Sequence, residues 1–139
     1  MIWLLRADAP KIKSHQNNMA VVWGWELQLD CGVCNPESIR DPLLIKAFAR
    51  DLVKAIDMVA YGDPVVVHFG SGDKMGYTLY QLIETSCCSA HYSEDTSSAF
   101  INVFSCKPFD KLIVKEVVKN YFEPEIVLMN FIERVIPAL

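Results

Sequence analysis

Two segments of the sequence have the apolar spacing of an α-helix, and the segments around them have the patterns of β-strands. Asp41-Pro42 opens the first helix, with Asp41 as the N-cap and Pro42 at the first helical position. Its apolar residues recur mostly at spacings of three and four, and they are Leu44, Phe48, Leu52, Ala55, Ile56 and Val59. The second helix starts at Lys107-Pro108, and its apolar residues are Phe109, Leu112, Ile113, Val117, Tyr121 and Phe122. Two helices can cover only one face of a sheet. We therefore predict an α+β fold: a two-layer sandwich of a mostly antiparallel sheet with two helices packed on one face.

The strand segments carry more large apolar side chains than one buried face requires. The first strand pattern begins at Trp23, and there Trp25, Leu27 and Leu29 alternate with polar residues. Further strands are predicted at 65–69, 77–83, 100–106 and 126–135. The runs 65–69 and 100–104 are apolar on both sides, so we expect the strand 100–106 to be central and covered on both faces. A homodimer that packs sheet on sheet would cover the second face.

Length and charge exclude several classes of protein. The 139 residues, 52% of them hydrophobic, fit one domain, which we place at residues 23–139 after an N-terminal arm at 1–22. The net charge is −4 without a basic block, so nucleic acid is not an expected partner. No apolar run is long enough to span a bilayer, and the start does not resemble a signal peptide. We expect a cytoplasmic protein that has no membrane partner.

The five cysteines are an odd number, which favours free thiols in a reducing compartment. Cys31 and Cys34 have the spacing of a zinc knuckle. A zinc site would have to recruit Cys87, Cys88 or His91, and neighbouring thiols on a strand point to opposite faces. We therefore expect no metal, and most of these cysteines to be small buried hydrophobic residues.

The segment 84–95 combines hydroxyls, thiols, carboxylates and one imidazole, that of His91. Such a combination could supply a nucleophile with a nearby base. The alternative is a polar hairpin with a surface histidine. His68, which follows an apolar run, is expected to be a core or interface histidine.

Several of these residues resemble the signature of the prokaryotic S-adenosylmethionine decarboxylases. That signature contains a serine, a histidine five residues later, and a downstream F-T-C block, to which Ser86, His91 and Phe104-Ser105-Cys106 correspond. The stretch from Gly24 to Cys31 is similar to the family's first strand, and Gly76-Tyr77-Thr78 is similar to its G-V-S segment. The resemblance covers about residues 23–135.

The resemblance implies a self-processing enzyme. Ser86 would attack the preceding carbonyl, and the chain would be cut between Thr85 and Ser86, leaving a pyruvoyl group derived from Ser86. By position, His91 would be the base for the elimination step, Thr78 would assist the acyl shift, and Cys106 would reprotonate the product. The implied substrate is S-adenosylmethionine, whose decarboxylation supplies aminopropyl groups for polyamine (spermidine) biosynthesis. No metal is implied.

The chain departs from the family pattern at the predicted substrate-binding residues. Where the family has T-W-P-E, this chain has Tyr92, Ser93, Glu94 and Asp95, so serine replaces the tryptophan expected to stack on adenine. Asp95 can still accept ribose hydroxyls, and Glu94 and Tyr92 are the other expected contacts. Thr85 also replaces a glutamate before the scissile bond. Two alternatives follow: a pyruvoyl-dependent decarboxylase of another amino acid, or a non-processing homologue that acts as a binding or partner subunit.

Overall fold

The computed structural model describes residues 20–137, which form one six-stranded antiparallel sheet and two helices. The helices are α1 (Pro42–Ala55) and α2 (Lys111–Phe122). The strands are β1 (Val22–Gly32), β2 (Ala60–Phe69), β3 (Gly76–Ile83), β4 (Ser86–Ser93), β5 (Ser98–Ser105) and β6 (Ile126–Val135). Their order in the sheet is β2-β3-β4-β5-β1-β6. The predicted two-layer α+β sandwich is confirmed.

The core lies between the helices and one face of the sheet. Alternate residues of each strand point towards the helices, such as Leu27 and Leu29 of β1 and Ile101 and Val103 of β5, all buried. From the helices, the ring of Phe48 packs edge-on against Phe122, with centroids 4.8 Å apart. Burial of these aliphatic and aromatic groups is the main favourable term for this fold.

The start of α1 is as predicted, because the Asp41 side chain accepts hydrogen bonds from the N–H groups of Leu43 and Leu44. The apolar residues predict a helix that continues to Val59, and this end is wrong. The helix stops at Ala55, Asp57 takes a positive φ of 56°, and Val59 is exposed. The left-handed residue ends the helical hydrogen bonding, so β2 begins at Ala60 rather than at 65.

The predicted start of α2 is also wrong, by four residues. Asp110 is the N-cap and accepts a 2.8 Å hydrogen bond from the N–H of Leu112, so the helix begins at Lys111. With this start, Leu112 and Ile113 face solvent, and the buried residues are Val114, Val118 and Phe122. The final strand, by contrast, has the predicted bounds of 126–135.

Strand β5 is central, as expected, but it is covered on one face only. Phe100 is 45% exposed and Asn102 is exposed on the face opposite the helices. We call this surface the helix-free face. Its exposed large apolar residues are Val65, Val67, Phe69, Tyr80, Leu82, Phe100, Leu128 and Ile132.

Most of the predicted N-terminal arm lies outside the described residues, and β1 begins at Val22, the last residue of that arm. Within residues 20–137, neither helix has the length and apolar character needed to cross a membrane.

Candidate active site

Thr85, Ser86 and Cys106 meet at one end of the sheet. Ser86 is the first residue of β4 and pairs with Ile83 of β3 and with Ser105 of β5. The N–H of Cys106 donates a 3.0 Å hydrogen bond to the carbonyl oxygen of Thr85. A backbone donor on this oxygen polarises the carbonyl group and would stabilise negative charge that forms on it.

The backbone of Ser86 is strained. Its φ is +151°, in a region that is essentially restricted to glycine. Such a conformation costs roughly 1–3 kcal/mol, and the surrounding strand pairs maintain it. The hydroxyl is half-buried and lies 3.9 Å from Sγ of Cys87. Strain at this peptide would be relieved if the Thr85–Ser86 bond were broken.

A buried hydroxyl holds the side chain of Thr85 in place. Ser105 is fully buried, and its Oγ donates a 2.8 Å hydrogen bond to Oγ1 of Thr85 while accepting one of 3.0 Å from the N–H of Lys107. Oγ1 of Thr85 in turn donates to Sδ of Met58 at 3.3 Å. Sequence reasoning named Ser105 only as part of the Phe104-Ser105-Cys106 block and did not identify Met58. Their contacts with Thr85 depend on the sheet register and on the α1–β2 connection.

Thr78 and His91 form a second group. Oγ1 of Thr78 and Nδ1 of His91 are 2.8 Å apart, and Nε2 of His91 is 3.2 Å from the carbonyl oxygen of Lys74. A carbonyl oxygen can only accept, so the neutral ring carries its proton on Nε2, and Nδ1 accepts from the Thr78 hydroxyl. The two residues are cross-strand partners of β3 and β4.

Within one chain, the two groups are far apart. His91 is five positions beyond Ser86 on an extended strand, so their Cα atoms are about 16 Å apart. The imidazole therefore does not reach Ser86 of the same chain. The structure brings together Ser86 with Cys106 and, separately, Thr78 with His91.

The residues expected to bind substrate are placed in different environments. Glu94 contacts Nε2 of His68 at 2.7 Å, and its backbone carbonyl accepts from the guanidinium of Arg40. Asp95 is exposed beside them and lines the same shallow depression. His68 is exposed rather than buried, although it packs on Tyr77.

Tyr92 and Ser93 face inwards. Tyr92 is 0% exposed, packs against Phe122, and burial raises the pKa of its phenol well above the usual range. A ring in this position does not contact a ligand at the surface, so we withdraw Tyr92 from the expected substrate-binding residues. Oγ of Ser93 donates to the carbonyl oxygen of Asp73 at 2.9 Å, which fixes the neighbouring loop.

An aromatic groove that was not predicted lies near Cys106. Trp23 is 52% exposed, and its ring centroid is 6.0 Å from that of Phe104. The guanidinium of Arg134 lies 5.5 Å from the centre of the Phe104 ring and pairs with Glu26. A Cβ on Gly24 would lie 2.9 Å from Phe104, so this approach requires glycine. The exposed tryptophan at the start of β1 is the signal that could have identified the groove.

The cysteines separate into two classes. Burial raises the pKa of Cys31 to about 12, that of Cys34 to about 11 and that of Cys88 to about 12. Cys87 is half-buried and Cys106 is exposed. In the described part of the chain, which contains all five cysteines, no group of three or more His, Cys, Asp or Glu side chains is arranged to hold a metal.

Comparison with known proteins identifies the family. The sequence model for S-adenosylmethionine decarboxylase matches residues 25–135. The chain belongs to the S-adenosylmethionine decarboxylase family. The crystal structure of the adenosylmethionine decarboxylase from Aquifex aeolicus VF5 has a TM-score of 0.71 and 18% identity, covering 86% of this chain and 96% of that chain. At this identity the likeness supports the fold alone. No curated protein matches the chain.

S-adenosylmethionine decarboxylases of this family depend in general on a pyruvoyl group. The surroundings of Ser86 fit the formation of such a group from the chain. A hydroxyl follows a carbonyl that the Cys106 N–H polarises, the peptide is strained at Ser86, and Cys106 itself is exposed.

Proposed function

We propose that this member of the family cleaves itself between Thr85 and Ser86 and then decarboxylates S-adenosylmethionine, in the service of polyamine (spermidine) synthesis. The observation that carries the proposal is the hydrogen bond from Cys106 N–H to the Thr85 carbonyl, which joins the scissile bond to the expected proton donor.

Cleavage would begin when Oγ of Ser86 attacks the carbonyl carbon of Thr85. A C–O bond forms and the peptide C–N bond breaks, so the chain is joined by an ester and Ser86 has a free amine. A base then takes the Cα proton of Ser86, and the Cβ–Oγ bond breaks, leaving a carboxylate on Thr85. Hydrolysis of the resulting enamine, with loss of ammonia, gives the pyruvoyl group.

The residues around Ser86 support the attack on the Thr85 carbonyl and the final protonation of the product. The Cys106 N–H stabilises the developing oxyanion, and Ser105 holds Thr85 through a 2.8 Å hydrogen bond. The pyruvoyl group supplies a ketone that draws electrons from the carbon that loses carbon dioxide. Cys106 is the proposed acid that returns a proton to that carbon.

His91 and Thr78 would act across a homodimer. His91 is about 16 Å from Ser86 of its own chain, yet its ring lies on the helix-free face, where large apolar residues are exposed. Two helix-free faces packed about a two-fold axis would bury those residues and bring the Thr78–His91 pair of one copy towards Ser86 of the other. The site is incomplete without the second copy.

In the proposed homodimer, the substrate site combines residues from opposite ends of the two sheets, with Glu94 and Asp95 coming from the copy that supplies His91. Asp95 and Glu94 offer carboxylates for ribose hydroxyls. The Trp23–Phe104 groove beside Cys106 offers an aromatic surface in place of the tryptophan that Ser93 replaces. Carboxylates that accept from ribose hydroxyls and a thiol that returns a proton fit S-adenosylmethionine as the substrate. Another amino acid is the alternative substrate.

The deciding experiment is the intact mass of the protein during prolonged incubation. We expect slow conversion of the 139-residue chain into fragments of 85 and 54 residues (139 − 85 = 54). The smaller fragment should begin with a ketone that a hydrazine reagent traps. Ser86→Ala should abolish both products, whereas Ser89→Ala, on the same strand, should retain them.

Incubation of the cleaved protein with labelled S-adenosylmethionine should then release labelled carbon dioxide. Release from a different amino acid instead would support the alternative substrate. An unchanged full-length mass with no trappable ketone would discard both decarboxylase proposals and leave a non-processing homologue that acts as a binding or partner subunit.

A further inference from the structure

A second cavity lies on the helix side of the sheet, away from the Thr78–His91 pair. It has a volume of about 380 Å³ and is bounded by the end of α1, the α1–β2 connection and the irregular start of β2. The pairing of β2 with β3 is interrupted between Tyr61 and Val65, opposite Gln81. Bulged pairing of this kind opens space at a sheet edge.

Gln81 lies at the base of this cavity and has an unpaired oxygen. The residue is 0% exposed, and its Nε2 donates to the carbonyl oxygens of Gly62 and Leu82 at 3.1 and 2.7 Å. These two acceptors fix the orientation of the amide, because a flipped amide would place Oε1 against the carbonyl oxygens of Gly62 and Leu82. Its Oε1 has no partner in the described residues. A buried acceptor without a donor indicates a missing hydrogen-bond partner.

The rest of the cavity has a mixed character. Val53, Met58 and Pro64 provide apolar surface, and Lys54 and Arg50 supply positive charge at the entrance. Arg50 is 3.6 Å from Asp63, whose side chain is 93% exposed, and an ion pair so open to water is weak. The cavity therefore offers one buried acceptor, an apolar wall and an accessible cation.

We propose that this cavity binds an α-amino acid with an apolar side chain, which acts as an effector of the Thr85–Ser86 site. The ammonium group donates to Oε1 of Gln81, which has almost no surface open to the cavity until the wall moves aside. The carboxylate pairs with Lys54 and Arg50, and the side chain contacts Val53 and Met58. A ligand that lacks either charged group leaves one of these partners unsatisfied.

The cavity shares its wall with the scissile residue, and this part of the inference rests on the proposed function. Met58 lines the cavity, while its Sδ accepts a hydrogen bond from Oγ1 of Thr85 at 3.3 Å and lies 3.7 Å from Oγ of Ser105. The carbonyl oxygen of Val59, also in the wall, accepts from the N–H of Glu84 at 2.9 Å. A ligand that moves Met58 or Val59 changes the surroundings of the Thr85 carbonyl.

Binding is tested on the uncleavable Ser86→Ala chain with L-leucine and L-methionine as probes, by calorimetry and amide NMR. We expect saturable binding and shifts at Gly62, Asp63 and Gln81. Leucine methyl ester, which lacks the anion, and 4-methylpentanoate, which lacks the donor, should bind about tenfold more weakly. Lys54→Ala should weaken leucine binding by a similar factor, and Lys46→Ala, on the same helix outside the cavity, should not.

Coupling is measured in the same chain by the amide signals of Glu84 and Thr85, which should shift with ligand. Met58→Leu retains the apolar volume but removes the sulfur that accepts from Thr85, so the Thr85 shift at saturating ligand should fall. If neither probe binds, or both bind outside these residues, the site is refuted. If they bind in the cavity and Glu84 and Thr85 do not respond, the effector role is refuted. Failure of the wild-type chain to cleave would refute the proposed function alone.

Discussion

The backbone N–H of Cys106 is hydrogen-bonded to the carbonyl oxygen of Thr85 at 3.0 Å, across the β4–β5 pair. One residue thus presents two different groups to the proposed site, an N–H to the scissile carbonyl and an exposed thiol. The N–H would act while the chain is being cut, and the thiol would act afterwards on the substrate. Substitutions can separate these roles, since a side-chain change leaves the N–H in place.

Replacement of Cys106 should affect chain cleavage and decarboxylation separately. Cys106→Ala retains the N–H, so the chain should still cleave, while decarboxylation falls by about 10²–10⁴-fold through loss of the acid. Cys106→Pro removes both groups, and cleavage itself should slow by about 10²–10³-fold, the usual effect of one lost oxyanion donor. Both rates are read from intact mass and from release of carbon dioxide.

The same substitutions in a Ser86→Ala background provide the control for folding. If their thermal transitions match that of Ser86→Ala alone, the slow cleavage is a local effect. Equal cleavage rates for Cys106→Pro and Cys106→Ala would show that the hydrogen bond has no part in processing. Unchanged decarboxylation by Cys106→Ala would show that the thiol is not the acid.

Thiol labelling at pH 8 should distinguish the cysteines. Cys106 is exposed and should react first with iodoacetamide, followed by the half-buried Cys87. Cys31, Cys34 and Cys88 should stay unmodified, because burial raises the pKa of each thiol to about 11 or 12 and so suppresses the reactive thiolate. Peptide mapping by mass spectrometry gives the order, and rapid modification of Cys88 would contradict its placement in the core.

The sequence patterns were sufficient for the architecture but not for every boundary. The apolar run that follows the Glu123-Pro124-Glu125 break located β6, and the Asp41-Pro42 pair located the start of α1, because both signals are local. The predicted start of α2 was too early, because Lys107-Pro108 resembles a helix start. The side chain that caps the helix is that of Asp110. The helix α1 ends before its predicted end because Asp57 has a left-handed conformation. This conformation could not be predicted from the sequence, since aspartate does not require it.

For the site, the sequence likewise predicted the residues but not their arrangement. Resemblance to the family supplied Ser86, His91 and Cys106, but not their arrangement. The contact of Cys106 with Thr85 depends on the register of two strands, and the φ of Ser86 depends on how β4 begins. The spacing of five residues between Ser86 and His91 suggests proximity, yet on a strand each residue advances about 3.3 Å, so the two groups are separated.

Tyr92 provides a test of the inward-facing side of β4. Its hydroxyl is buried without a hydrogen-bond partner in the described residues, so Tyr92→Phe should raise the free energy of unfolding by about 1 kcal/mol. Urea unfolding of the Ser86→Ala chain, with and without this change, measures the difference. Because the ring does not reach the surface, the KM for S-adenosylmethionine should not change in the cleavable protein, and a marked rise in KM would restore Tyr92 as a substrate contact.

A mixture of two inactive variants tests whether the site is shared between chains. His91→Ala lacks the proposed base, and Ser86→Ala lacks the nucleophile, so neither should cleave alone. In a mixed dimer, the Ser86 of one chain meets the His91 of the other, and one complete site is formed. After equal amounts are unfolded and refolded together, random pairing places about half of the His91→Ala chains in mixed dimers, and that fraction should cleave.

The control is the same mixture carrying Leu82→Lys on both chains, which places a charge on the helix-free face and should disrupt sheet-on-sheet packing. Leu112→Lys, on an exposed position of α2, is the matched change outside that face and should leave complementation intact. Light scattering should return a monomer for the first pair and a dimer for the second. Cleavage of His91→Ala alone would remove His91 from the mechanism, whereas a dimer without complementation would mean that each chain completes its own site after a rearrangement of β4.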